Sequence, residues 1–462
     1  MPANYVLLER ITTTSTVASV LLDNIPQSGY TDLKIVMSAI TTGSANNCSI
    51  AFNGSTANFS NRQLGGDGSS AYSASRNDNI NAVLANGTSY TANIAASNEI
   101  YIPNYLGSNN KSFSSESATE NNGTGADLVI RAHLWSQTTA INSVTIFAGN
   151  GSGSFGANST FSLYGIAAFG TTPTVVPKAS GGDIVVNDGT YWYHAFLSSG
   201  VFMPSSNLSC DTLVIAGGGG GGLNLGGGGG AGGLRYATQS LIASGYSVTV
   251  GAGGAGGVLG GASAANGSNS ILNSITSTGG GAGGDSAEDS PAIQSGKAGG
   301  SGGGGTGYYS NATNPGGAAS PSGQGNAGGS GTGNKIPPYG NSATGGGGGA
   351  GVAGTNGGTG PWAGGAGGNG LSTYSSFGAA TLTGQNISGT YWYAGGGGGS
   401  GLSGTTQAAG GNGGGGTGGV DGGADSTVGL VNTGGGGGGS RGNNTNGKAG
   451  GSGIVIVRYT MA

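Results

Sequence analysis

The sequence predicts an all-β protein: an N-terminal jelly-roll-like β-sandwich, followed by a small β base carrying stacked helices of the polyglycine II type. Three observations lead there. Residues 1–170 hold seven to nine short β-prone runs separated by turn signals, with no stretch of helical period. Glycine is concentrated in the remainder, where 91 of the 111 glycines follow residue 200, a composition foreign to ordinary soluble domains. Those glycines form pure or near-pure runs, at 217–222, 226–230, 279–284, 299–305, 345–349, 395–399, 413–416 and 434–439. Apolar strands bracket them, Leu213-Val214-Ile215-Ala216 before the first and Ile454-Val455-Ile456-Val457-Arg458-Tyr459 after the last.

In the N-terminal half, Val6-Leu7-Leu8 and residues 17–22 are short β-prone runs, and Asp32-Leu33-Lys34-Ile35-Val36-Met37 begins with the alternation of a half-buried strand. Ser49-Ile50-Ala51-Phe52 ends at Asn53-Gly54, a strong hairpin-turn dipeptide. The polar stretch 61–79 reads as an exposed loop. Further strands are expected at 99–102, 128–135, 143–146 and 160–166. Such a series of short strands suggests a sandwich of jelly-roll type. Residues 171–182, with two prolines and a closing Gly-Gly, read as an extended linker between a 1–170 domain and a 183–462 domain. The second domain opens with a hairpin, Asp183-Ile184-Val185-Val186 and residues 190–196 around the turn Asn187-Asp188-Gly189. Its first and last strands are expected to lie together and tie off the glycine segments.

Three structures compete for the glycine runs. Composition alone suits a flexible linker. Collagen requires glycine at every third position with abundant proline, and the contiguous runs and 12 prolines exclude it. The third structure is a packed array of extended helices with three residues per turn, which form no internal hydrogen bonds and point every N–H and C=O outward. With hydrogen as the only side chain, such helices can bond to one another through their backbones. Ordering glycine is entropically costly, roughly 0.5–1 kcal/mol per residue relative to alanine. The array therefore requires partners for nearly all its buried backbone groups.

Charged residues are 6 % of the chain and the formal net charge is −4, which leaves no basic footprint for nucleic acid and none for anionic lipid. No apolar run approaches the ~18 residues of a membrane span, so no membrane insertion is expected. Cys48 and Cys210 are far apart and suggest buried thiols. His133 and His194 fall in different domains and without zinc spacing, so no metal site or cofactor is expected. Residues 442–448 carry the glycines and lysine of a phosphate-binding loop, but Ala449 stands where a hydroxyl must reach the metal. Asp285, Glu288 and Asp289 are the only acidic cluster of the glycine half and read as a solvated loop tip. A pair of catalytic carboxylates is not indicated, and no enzyme or catalytic residue is expected. Aromatic residues between the runs stand out: Tyr308, Tyr309, Tyr339, Trp362, Tyr374 and Phe377. Rigid aromatics among Ser, Asn and Gly have the composition of a binding surface, although they could equally cap the array or pack on its base. Tyr391-Trp392-Tyr393 reads as structural.

Several of these stretches resemble a known family. Phe196-Leu197-Ser198-Ser199-Gly200-Val201-Phe202, Val214-Ile215-Ala216 into glycines, Val248-Thr249-Val250-Gly251-Ala252-Gly253-Gly254, Tyr393-Ala394-Gly395, Asn432-Thr433-Gly434 and Gly451-Ser452-Gly453 into the last strand are similar to the glycine-rich domain of phage virion proteins. Thr31-Asp32-Leu33, Phe52-Asn53-Gly54 and residues 159–166 are similar to β-sandwich modules of tailed phages. The architecture resembles distal tail-fibre adhesins of T-even-like phages. That resemblance implies a virion protein, assembled in the host cytoplasm, that attaches to other virion proteins through its N-terminal domain. It implies receptor binding to a host surface glycan or outer-membrane protein through loop aromatics, and a homotrimer as a further possibility. The alternative is a structural capsid or tail appendage with no receptor of its own.

Overall fold

The computed structural model describes residues 5–43, 47–77, 80–88, 94–121, 126–151, 153–167, 176–286, 291–307, 313–332, 343–358, 363–402, 405–442 and 445–461. It is nearly all β, with antiparallel strand pairs throughout. The chain divides into two compact units, one of Met1–Lys178, Asp183–Trp192 and Met461–Ala462, the other of Ala179–Gly182 and Tyr193–Thr460.

In the first unit, nine strands follow one another in a sheet: Ile184–Asn187, Tyr5–Thr12, Thr160–Ile166, Asp32–Ala39, Ala96–Ile102, Lys111–Glu120, Ala126–Trp135, Phe59–Gly66 and Ala71–Asn77. A second sheet holds Ser19–Leu22, Val144–Ala148, Asn47–Phe52 and Asn81–Leu84. One apolar core draws residues from both, among them Leu33, Ile35, Ile100 and Phe161 from the first sheet and Leu22, Ile50, Phe52 and Ile146 from the second. Phe52 meets Phe59, Phe113 and Trp135 at ring-centroid distances of 5.5, 5.1 and 5.4 Å. The turn after it is of the expected kind: Asn53 and Gly54 both have positive φ, and Phe52 pairs with Ser55.

The described part of the stretch 61–79 is not a loop. Phe59–Gly66 and Ala71–Asn77 form a hairpin from Ser60↔Asn77 to Gly66↔Ala71, and Asp67 Oδ1 accepts from the Ser69 and Ser70 amides across its turn. Most of Ala71–Asn77 is exposed, so the ladder needs no apolar face there and the sequence shows no alternation. Lys111–Glu120 is a further strand without an apolar pattern. It alternates buried and exposed, but its buried side chains are Lys111, Phe113, Ser115, Ser117 and Thr119. The Lys111 ammonium is held by the carbonyls of Gly107, Asn109 and Thr138, at 2.6, 2.7 and 3.3 Å, which compensates its burial.

In the second unit the ends of the glycine segment do lie together. Leu208–Ile215 pairs with Ile454–Thr460, from Asp211↔Arg458 to Ile215↔Ile454, and on its other edge with Leu234–Leu241. An Asp211–Arg458 ion pair of 2.7 Å closes this join. A five-stranded sheet, Ala179–Ser180, Gly200–Pro204, Tyr246–Thr249, Ser270–Leu272 and Ile275–Ser277, completes the base.

The glycine runs leave this base and return to it, and their hydrogen bonds follow a three-residue rotation. From Gly217 to Gly222, successive N–H groups donate to Ser268, Gly451, Gly230, Ala265, Lys448 and Gly227, so every third donor meets the same neighbouring segment. The run 226–233 is enclosed on every side. Its amides donate in rotation to segments 434–440, 278–284 and 345–348, and its carbonyls accept from 217–222, 397–400 and 301–304, six neighbours in all. A Cβ built on Gly228 would fall on the Gly397 carbonyl, and one on Gly229 on the Gly219 carbonyl. Glycine is required by this contact, whatever its backbone angles. Where a donor lacks a glycine neighbour, an asparagine serves: Gly279 and Ala282 donate to the Asn269 and Asn266 side-chain oxygens.

Candidate binding surface at the far end of the glycine runs

Because the runs alternate in direction, their turns collect at two ends. The near end adjoins the base, and the far end is reached after about six residues of glycine, at Leu223-Asn224-Leu225 in the first hairpin, where Gly222 donates to Gly227. Two far-end turns share a sequence, Val258-Leu259-Gly260-Gly261-Ala262 and Val420-Asp421-Gly422-Gly423-Ala424. Each closes with its valine N–H donating to its alanine carbonyl, and each has positive φ at its first glycine, Gly260 (67°) and Gly422 (68°). This Val-x-Gly-Gly-Ala repeat was a readable signal of matching turns that composition obscured.

Side chains stitch the far end together. Asp285 is the chief of them and is not a solvated loop tip, since it is 1 % exposed. Its Oδ1 accepts from the Leu223 amide and its Oδ2 from the Ala264 amide, both at 2.9 Å. Burial pushes its carboxyl up from the usual range, against the opposing pull of those amides. Glu288 and Asp289 lie outside the described residues. The Leu259 amide donates to Asn446 Oδ1 at 2.9 Å, and the Asn224 amide to Ser440 Oγ at 2.6 Å. Arg441 pairs with Asp425 at 2.8 Å and reaches the Gly423 carbonyl at 3.3 Å. Among these groups opens a cleft of about 530 Å³, lined by Leu259, Asp425, Ser426, Arg441, Thr445, Asn446 and Lys448. None of these seven was singled out as a recognition residue from the sequence. Their positions are scattered over 190 residues and only the register of the runs brings them together.

The expected aromatic residues divide into two groups. Tyr308, Tyr309, Tyr339 and Trp362 lie outside the described residues. The chain flanking them is at the far end: Gly307 donates to Leu225, Thr332 and Ala343 exchange backbone bonds of 2.8 and 3.0 Å, and Gly358 donates to Ala363. Tyr374 and Phe377 are instead at the base, between Leu371 and Tyr393, which bridge one another. Phe377 lies in the helix Ser375–Thr381 and is 1 % exposed, with the Arg458 guanidinium 4.4 Å from its ring centroid and Tyr193 at 6.0 Å. Contrary to the sequence expectation, it has no surface to offer a receptor. Half-buried Tyr374 stacks on Tyr236 at 5.1 Å. Tyr393 is buried as expected, its hydroxyl bonded to Thr383 at 2.8 Å.

Both histidines and both cysteines are buried in packing. His133 stacks on Phe113 at 4.4 Å and meets Ser115 Oγ at 3.0 Å; burial lowers its pKa to about 3. His194 lies between the Gly181 carbonyl at 2.6 Å and the Tyr459 hydroxyl at 2.9 Å, and burial lowers its pKa to about 4. Cys48 and Cys210 are free and buried, and burial pushes both thiols up to about 12. No group of three or more metal-ligating side chains occurs among the described residues.

A family profile for a glycine-rich domain matches residues 197–460. No curated protein and no solved structure matches the chain.

Proposed function

The chain belongs to the glycine-rich domain family, and on that premise we propose that it is a phage virion appendage protein, a tail-fibre or tail-tip adhesin that meets its host receptor with the far end of the glycine runs. In this reading the runs are polyglycine II helices stacked side by side, and the first unit is a jelly-roll module that attaches to other virion proteins. The stacked-helix reading is supported by the three-residue rotation of donors and by carbonyls standing where any Cβ would be. The receptor would be a surface glycan or an outer-membrane protein.

The observation that carries the proposal is the far end itself, where turns from several runs gather polar side chains around one cleft. The glycine runs are uniform, both ends hold irregular sequence, and the described chain flanking Tyr308, Tyr309, Tyr339 and Trp362 lies at the far end. A rigid body presenting variable loops on one face is how scaffolds carry recognition. Rigid aromatics give large contact area at low entropic cost. The placement of Phe377 and Tyr374 in the base favours the second reading, a structural appendage, because two of six candidate aromatics serve packing instead.

The test is binding of the labelled full chain to a panel of bacterial cells, beside a Tyr308→Ala/Tyr309→Ala double variant and Trp362→Ala. Saturable binding to some strains, lost in the folded variants, is the expected result. A folded protein that binds no strain, yet is found in purified particles by mass spectrometry, would establish the structural appendage instead.

A further inference from the structure

We infer that the far-end cleft at Arg441 and Lys448 binds a carboxylate-bearing sugar, a uronic- or sialic-type residue; the inference deepens the adhesin reading and rests on it. The chain is poor in charge and net negative, with 13 basic and 17 acidic residues. Yet this cleft brings two cations, Arg441 and Lys448, together with Asp425 in its lining and Asp421 beside Gly442 at its edge, so acids and bases balance there where the chain as a whole is acidic. Asp425 Oδ1 lies 2.8 Å from Arg441 Nε without hydrogen-bonding geometry, and the Gly423 carbonyl accepts one Nη1 proton, so among the described residues donors remain on a group with five N–H bonds. Among the described residues no carboxylate pairs with Lys448.

The neutral lining suits the rest of a sugar. Asn446 accepts from Leu259 through Oδ1, which leaves its amide NH₂ to donate. Thr445 Oγ1 donates to the Arg441 carbonyl at 2.7 Å, which leaves its lone pairs to accept. Donors, acceptors and one aliphatic side chain, Leu259, 44 % exposed, match a ring that is hydroxylated at its edge and C–H on its face. At about 530 Å³ the cleft is within the ordinary range for small-molecule sites, roughly 300–1,000 Å³. Its frame is anchored in the glycine array. Leu225 donates to the Arg441 carbonyl at 3.4 Å, Gly221 to the Lys448 carbonyl at 2.8 Å, and Lys448 to the Gly438 carbonyl at 3.2 Å. A site held by backbone bonds of this kind loses little freedom when it binds.

The experiment is calorimetric or saturation-transfer titration of the full chain with glucuronic, galacturonic and N-acetylneuraminic acids. Glucose, galactose and N-acetylglucosamine serve as neutral counterparts, and inorganic phosphate as a competing anion. At least one acid should bind, about tenfold more tightly than its neutral counterpart, and more weakly as salt is raised. Arg441→Gln should weaken it about tenfold and Lys448→Gln about threefold. Lys448→Gln leaves the Arg441–Asp425 pair in place, so a folding defect in the arginine variant does not decide the outcome. Absence of binding by all three acids at millimolar concentration overturns the inference, as does equal binding of the neutral sugars or equal affinity for phosphate. Whole-cell binding separates the two levels. Binding that survives in an Arg441→Gln/Lys448→Gln double variant removes the acidic sugar from recognition and leaves the adhesin reading standing. No cell binding by the wild-type chain removes the adhesin reading, while the sugar titration still decides what the cleft holds.

Discussion

The two units of this chain reach a folded state by opposite routes. In the first, side chains do the packing: a continuous apolar cluster centred on Phe52, Phe113 and Trp135 lies between two sheets. In the second, the enclosed segment 226–233 has almost no side chains to pack, and its backbone bonds to six neighbours. Hydrophobic burial is non-directional and tolerates adjustment. A backbone array is directional, and it fails where an added atom falls on a neighbour's carbonyl. A glycine-rich sequence therefore need not be a weak or flexible one when its buried amides have partners.

Thermodynamics can sharpen this contrast over the whole molecule. Apolar surface exposed on unfolding raises the heat capacity and polar surface lowers it, for a usual net of about 12–15 cal/mol/K per residue. With 91 glycines in its second half, this chain should fall clearly below that range per residue in scanning calorimetry. A value inside it would mean that apolar burial dominates both units after all.

Among single substitutions, the largest effect is expected at the middle of the array. Gly229→Val places its Cβ on the Gly219 carbonyl. Relief requires breaking backbone bonds to segments on which other runs depend, at about 5 kcal/mol or more when overpacking and unpaired buried amides are combined. Hydrogen-exchange mass spectrometry should show protection lost across residues 217–453 and retained in 5–166. The mirror experiment, Phe52→Ala, should cost about 4 kcal/mol with the reverse pattern. Gly43→Ala is the control, since a Cβ there meets nothing within 4 Å, and it should change stability by less than about 0.5 kcal/mol.

Legibility in the sequence followed the same division. The bracketing strands, the Asn53-Gly54 turn and the need of the runs for glycine were readable because each rests on a local, nearly exclusive preference. The hairpin Phe59–Gly66/Ala71–Asn77 and the strand Lys111–Glu120 were not, because their ladders are filled by Ser, Thr, Asn and Lys where alternation of apolar residues is the usual guide. Phe377 looked like a loop aromatic because nothing local announces the short helix Ser375–Thr381, which Arg458, 81 positions later, helps to cover. Asp285 looked solvated because its amide partners, Leu223 and Ala264, are remote in sequence. The far-end cleft was invisible for the same reason. Its members are neighbours only in the register of the array.

A smaller effect probes both units with one perturbation, since each holds a buried histidine. The His194 environment suits the neutral ring: Nδ1–H donates to the Gly181 carbonyl and Nε2 accepts from the Tyr459 hydroxyl. His133 is stacked on Phe113, with burial and the nearby Arg131 both opposing its charge. Folding therefore depresses both, from an unfolded value near 6.5 to about 3 for His133 and about 4 for His194. A depressed histidine contributes stability that is complete above the unfolded pKa and is lost as pH falls toward the folded one. At pH 5 each should cost its unit about 2 kcal/mol. Below that the two diverge, because the His194 penalty levels off near pH 4 while that of His133 continues to about pH 3. Denaturation of His133→Gln and His194→Gln variants between pH 7 and 3.5, followed by hydrogen exchange, should flatten the acid dependence of one unit each. If either variant flattened both, the units would not unfold independently, and the contrast between a core of side chains and a core of backbone would describe composition without describing cooperativity.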